Sequence, residues 1–104
     1  MAEQSRTRTS STANRKRKAP AMRPGEAARG AAEVLQSLIS HRVEGVSAVR
    51  RTEDGWCVEA EVLELARVPD TTSLLATYEV KLDEQGELLE YLRTRRYRRG
   101  AADE

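Results

Sequence analysis

Asp54-Gly55-Trp56-Cys57-Val58-Glu59-Ala60-Glu61-Val62 is a turn followed by a strict alternation. Asp-Gly is the dipeptide that supplies the positive-φ position of a tight hairpin. After it, Trp56, Val58, Ala60 and Val62 fall on one side of an extended chain, and Cys57, Glu59 and Glu61 on the other. That is the pattern of an antiparallel strand with one face buried and one face wet. Leu63 and Leu65 break the phase, which predicts a bulge or the strand's end.

Upstream, Thr52-Glu53 completes the turn, and residues 46–51 read as a short partner strand. Downstream, residues 67–75 contain Pro69 and Asp70 and read as a loop, with a helical turn expected at residues 72–75. Alternation resumes with Ala76, Tyr78, Val80 and Leu82 on one face and Thr77, Glu79 and Lys81 on the other. Asp83-Glu84-Gln85-Gly86 is a second turn, and residues 87–98 form the last strand.

Before the strands the apolar period is that of a helix. From Ala31 the apolar residues stand at offsets 0, 3, 4, 7 and 8, which gives one stripe through Val34, Leu35, Leu38 and Ile39. Glu26 near its start and His41 and Arg42 near its end suit the helix dipole, and Gly45 is the expected stop. The fold class is therefore α+β: one N-terminal helix packed on a four-stranded antiparallel sheet, each covering the other's apolar face. Leu35, Leu38, Ile39, Trp56, Val58, Val62, Tyr78 and Val80 are the expected core anchors.

Charge divides the chain. Residues 1–24 hold seven basic groups against Glu3, a net +6, while the remainder holds 11 basic and 16 acidic groups, a net −5. The first stretch has almost no large apolar residue before Met22 and cannot bury enough surface to offset the ordering of its backbone. Residues 1–25 are expected to be a disordered basic tail, 26–99 the domain, and 100–104 a disordered end. Asn14-Arg15-Lys16-Arg17-Lys18 has the composition of a nuclear-targeting or nucleic-acid patch, against a reading as a solubilising arm. There is no ~20-residue apolar run for a membrane span and no secretory h-region. With one cysteine and no internal disulfide, a cytoplasmic setting is expected.

Chemistry is poorly provisioned. His41 is the only imidazole and Cys57 the only thiol. One of each cannot build a structural zinc site, and a nucleophile needs a base within reach. Residues 53–90 hold eleven acids, but their alternation puts most on a solvated face. No phosphate-cradling glycine loop is present. The expectation is no catalytic residue, no metal and no cofactor.

The last strand carries the sharpest feature: Tyr91-Leu92-Arg93-Thr94-Arg95-Arg96-Tyr97-Arg98-Arg99. Period two places Tyr91, Arg93, Arg95 and Tyr97 on one face. Tyr91, Arg93, Arg95, Arg96, Tyr97, Arg98 and Arg99 are the candidate interaction residues. Two readings compete. The arginines pair with Glu59, Glu61 and Glu79 of the same sheet or with an acidic protein, or else they and the tyrosines hold nucleic acid. The negative body favours the first.

The order of these short words is familiar. The run from Asp54 to Leu65, Arg67-Val68-Pro69-Asp70, Leu75-Ala76-Thr77-Tyr78-Glu79-Val80, Leu82-Asp83-Glu84-Gln85-Gly86-Glu87-Leu88, and Tyr91 with Arg95-Arg96-Tyr97-Arg98-Arg99 resemble the gas vesicle synthesis protein O (GvpO) family over residues 26–99. The basic tail stands outside that resemblance. Cys57 departs from the basic or polar residues the family has beside its Gly-Trp pair. The resemblance implies a non-enzymatic accessory role in gas vesicle assembly, in the cytoplasm or on the vesicle. It also implies partners among the GvpN-like ATPase, GvpF/L-like proteins and shell proteins, and it carries over no catalytic residue. Fifteen arginines to three lysines, with many alanines, suit a GC-rich actinobacterial source.

Overall fold

The computed structural model describes residues 22–101, so the expectations for residues 1–21 and 102–104 lie outside it, while Pro24 and Gly25, assigned to the tail, stand in a helix and Gly100 and Ala101, assigned to the disordered end, in a 3-10 turn. In chain order the elements are α1 (Pro24–Leu38), β1 (Arg42–Arg51), β2 (Gly55–Leu65), a 3-10 turn at Asp70–Thr72, β3 (Leu74–Asp83), β4 (Leu88–Arg98) and a 3-10 turn at Arg99–Ala101. The strands form one antiparallel meander in the order β1-β2-β3-β4, with α1 across one face. That is the expected α+β architecture. We call the helix-covered face inner and the opposite face outer.

Helix α1 begins at Pro24, whose fixed φ suits a first turn and whose missing N–H would have had no partner there. Glu26 Oε1 accepts the Arg23 backbone N–H at 2.9 Å, closing the N-terminus. The buried stripe is Ala27, Ala31 and Leu35, all fully covered. Two alanines at the contact let the helix lie close to the sheet.

The helix stops earlier than its periodicity predicts. Gln36 is the cause. Its Nε2 donates to the His41 carbonyl at 2.8 Å and its Oε1 accepts the Val43 N–H at 2.9 Å, which pins the chain into β1. His41 and Arg42 are therefore not in the last helical turn, and Gly45 lies inside a strand rather than ending the helix. Leu38, expected in the core, is 46% exposed. The buried row steps by four from Ala27 to Leu35, so its next position is Ile39, which is half-buried against the core, and Leu38 points aside.

Strand β1 is longer than predicted because two bulges disguise it. Its register against β2 slips between Val43 and Gly45 and again between Val46 and Ala48. Val43, Val46 and Val49 consequently face Val62, Ala60 and Val58 at a spacing of three, which is not a strand period. Strands β2 and β3 pair as their alternation predicts. Trp56, Val58, Ala60, Val62, Val80 and Leu82 are buried with Ala27, Ala31 and Leu35 in one cluster, and Tyr78 packs partly against it. The slip expected near Leu63 and Leu65 is present, with Glu64 as the extra residue. The helical turn in the following loop falls at Asp70–Thr72, earlier than expected, and Ser73 is fully buried behind it. Ser73 Oγ accepts the Arg67 N–H at 3.0 Å, and the Val68–Pro69 peptide bond is cis.

Candidate interaction surface

Strand β4 is an edge strand, paired on one side only. Its register against β3 slips twice, between Leu88 and Glu90 and between Arg93 and Arg95. Residues paired directly across antiparallel strands share a face. Tyr91 opposite Val80, Arg93 opposite Tyr78 and Arg96 opposite Ala76 therefore lie on the inner face. Leu92 opposite Glu79, Arg95 opposite Thr77 and Tyr97 opposite Leu75 lie on the outer face. The expected single face of Tyr91, Arg93, Arg95 and Tyr97 is thus split two and two, because Thr94 is an extra residue between its halves. Thr94 Oγ1 donates to the Thr77 carbonyl at 3.2 Å and fills the slip.

The arginines divide with it. Glu64, whose side chain is only 5% exposed, takes Arg96 Nε at 2.7 Å and Arg93 Nη1 at 3.3 Å. Arg99 grips Glu44 with both terminal nitrogens, at 3.0 and 2.8 Å, and its Nε lies 2.8 Å from Asp70 Oδ2 as a charge contact. These three candidates brace the domain. Glu59 and Glu79, expected to hold them, instead face Arg50 of β1 at 3.3 and 3.7 Å. Arg95 and Arg98 are exposed and form no ion pair among the described residues. The Arg95 guanidinium sits 4.4 Å from the centroid of the Tyr97 ring.

At the centre of the outer face Glu61 accepts three hydroxyls, one from each of the other strands. Ser47 Oγ reaches Oε2 at 2.6 Å, while Thr77 Oγ1 at 2.8 Å and Tyr97 Oη at 2.6 Å reach Oε1. Burial raises the Glu61 pKa, but bonds from Ser47, Tyr97 and Thr77, with Arg95's charge, more than offset it and hold the group below its usual 4.5. Burial and the Glu61 carboxylate push the Tyr97 hydroxyl up to about 12. Burial likewise raises Glu64, and its bonds to Arg96 and Arg93 reverse the direction to a net lowering.

A carboxylate depressed in the folded state adds stability above its unfolded pKa and loses it as pH falls through the folded value. Acid unfolding of this domain is therefore expected to steepen below 4.5, and a Glu61→Gln, Glu64→Gln variant to show a flatter acid limb. Urea midpoints between about pH 3 and 6 check this, and parallel curves would contradict it. Tyr97 has the opposite sign: its contribution is present below 10 and is lost as pH rises towards about 12.

Sequence reasoning missed Glu64, Glu44, Ser47 and Thr77 as partners of this strand. The phase break at Leu63 and Leu65 marked the place of Glu64, but nothing local marked its arginines. Cys57 does point away from the helix, as expected. It is nevertheless only 5% exposed, in an inner strand beneath Arg50, and burial followed by Glu79 raises its pKa, so it is held as a thiol. His41 is exposed. The hollow between α1 and β1, lined by Ala32, Glu33, Gln36, Val43, Glu44 and Gly45, is shallow and contains neither group. Among the described residues no three of His, Cys, Asp and Glu cluster as metal ligands, and no helix is long and apolar enough to cross a membrane.

The model of the family described as gas vesicle synthesis protein GvpO matches residues 8–103, a span that runs beyond residues 26–99 into the basic stretch. Gas vesicle protein O of a Streptomyces species is 58% identical over 80 residues, covering 77% of this chain and 62% of that protein. Gas vesicle protein O1 of Halobacterium salinarum is 39% identical over 70 residues, 67% of this chain and 59% of that protein. Gas vesicle protein O of Haloferax mediterranei is 35% identical over 71 residues, 67% of this chain and 51% of that protein. The chain thus spans between about half and under two thirds of the length of these relatives. No solved structure matches it. The Streptomyces relative agrees with the actinobacterial composition. The family match over nearly the whole chain, with relatives in bacteria and archaea, establishes that this chain belongs to the gas vesicle synthesis protein GvpO family.

Proposed function

We propose that this chain serves gas vesicle synthesis as a non-catalytic accessory protein that docks other gas vesicle proteins along β4. The observation that carries the reading is the division of labour on that strand. Arg93, Arg96 and Arg99 are held by Glu64, Glu44 and Asp70. Arg95 and Arg98 remain exposed towards the C-terminal end of the strand whose other half presents Leu89, Tyr91 and Leu92, which are 55%, 39% and 43% exposed. Apolar side chains flanked by charge are what a specific protein contact uses, the apolar part for affinity and the charge for selectivity and rate. The buried, protonated Cys57 and the isolated His41 support a role without covalent or acid–base chemistry.

The nucleic-acid reading gains less. Tyr91 and Tyr97 lie on opposite faces, Arg95 covers the Tyr97 ring, and Glu59, Glu61, Glu79 and Glu90 share the outer face with it. These carboxylates oppose a polyanion laid across that face.

Complementation tests the proposal. In a vesicle-forming host lacking its own family member, the wild-type chain restores vesicles, and the Arg95→Glu, Arg98→Glu variant restores few or none while remaining folded. Full restoration by that variant overturns the reading. Charge reversal at Arg96 or Arg99 is not a clean probe, since it sets like charges against Glu64 or Glu44 and destabilises the fold.

A further inference from the structure

The proposed docking along β4 leaves open how the strand is held, and on that reading rests a more specific one. Tyr91 and Leu92 are consecutive, both exposed, and on opposite faces of the sheet. No partner lying on a single face covers both. A strand added alongside β4 does, because its side chains flank the edge above and below. The two register slips of β4 bracket a regular window at residues 90–93. Bulges and charge at an edge are the usual guards against indiscriminate pairing, and here they restrict the open backbone to that window.

We infer that residues 90–93 of β4 accept one extended, acidic segment of another protein as a fifth strand, with Tyr91 and Leu92 gripping its apolar side chains from both faces and Arg95 and Arg98 its carboxylates. Charge selects this occupant. The C-terminal half of β4 carries Arg93, Arg95, Arg96 and Arg98, and a second copy aligned antiparallel over the whole strand sets Arg93 against Arg93. An acidic strand meets Arg95 and Arg98 instead, which form no ion pair among the described residues.

The probe is a synthetic heptapeptide alternating glutamate and valine, titrated into the full chain. Two controls accompany it: the same peptide with lysine for glutamate, and the acidic peptide N-methylated on alternate backbone nitrogens. The acidic peptide is expected to bind more weakly as salt rises and to slow amide hydrogen exchange at residues 90–93. Both controls are expected to bind at least about tenfold more weakly. A Tyr91→Thr, Leu92→Thr chain, which keeps β-forming residues, is expected to fold and to lose the complex. Equal binding of the N-methylated peptide overturns the inference, since charge alone then explains it. Absent binding, protection elsewhere, or protection that grows with protein concentration and without peptide also overturns it, the last in favour of a second copy. The assay contains no other gas vesicle protein, so its failure leaves the complementation result standing, and the reverse holds as well.

Discussion

Trp56→Ala is expected to remove most of this domain's stability, about 3–5 kcal/mol. The inner core is built from small side chains: its largest fully buried members are Leu35, Leu82, Val58, Val62 and Val80, and the helix contributes two alanines. Trp56 is the one large aromatic buried in that cluster, 5% exposed, paired with Leu82 on β3 and Arg51 on β1. The Arg51 guanidinium lies 5.1 Å from its ring centroid and closes the hairpin end of the core. Truncation leaves a cavity between a helix and a sheet that cannot collapse without breaking β-pairing. A domain of this size buries only about 60% of its unfolded surface, so it has little stability to lose. Urea unfolding followed by circular dichroism measures the loss, since the variant has no tryptophan to report. Trp56→Phe is expected to lose markedly less. A Trp56→Ala midpoint within error of wild type would contradict this account of the core.

Gly55→Ala is expected to cost roughly 2–6 kcal/mol, combining overpacking and backbone strain of about 1–3 kcal/mol each. Gly55 sits where the β1–β2 hairpin meets β3, with φ +154°. A Cβ built there falls 2.5 Å from the Asp83 carbonyl carbon and closer still to the Leu82 oxygen. Both are backbone atoms, so no rotamer change relieves the clash, and either the hairpin or the β2–β3 pairing must yield. Gly30 is the matched control. It lies in α1 with nothing within 4 Å of an added Cβ, so Gly30→Ala is expected to stabilise by about 1 kcal/mol. Thermal melts of the two alanine variants should move in opposite directions, and a shared direction would refute the steric argument.

These two positions also show where the amino-acid pattern is legible. Gly55 and Trp56 belong to a run in which turn chemistry and alternation agree, and there the hairpin, the strand and its buried face follow from local rules. The same holds for β3 and for the stripe through Ala31 and Leu35. Legibility fails where extra residues enter a strand. In β1, the bulges at Glu44 and Ser47 space the inward valines by three, so its first half blends into the helical period before it. In β4, Thr94 reverses the side-chain alternation and moves Arg95 and Tyr97 to the face opposite Tyr91 and Arg93. A bulge is set by how two strands meet, which no single strand encodes. That these tyrosines and arginines share the last strand was therefore readable, but their division between its two faces was not. Which arginine is neutralised depends on Glu64, 29 and 32 residues away from Arg93 and Arg96, and on Glu44, 55 residues from Arg99.

That division is open to direct measurement. The wild-type chain, an Arg95→Glu, Arg98→Glu variant and an Arg93→Gln, Arg96→Gln variant would be used to capture gas vesicle proteins from vesicle-forming cells, with a thermal melt of each. The first pair should abolish capture while lowering the melting temperature much less than the second, since Arg95 touches the Tyr97 ring and steadies Glu61 but forms no ion pair among the described residues. The second pair should lower the melting temperature, because it strips the charged partners of the buried Glu64, and retain capture at temperatures where it is folded. Unaltered capture by the Arg95, Arg98 variant, or a melting loss as large as that of the Arg93, Arg96 variant, would contradict the separation of bracing from docking arginines.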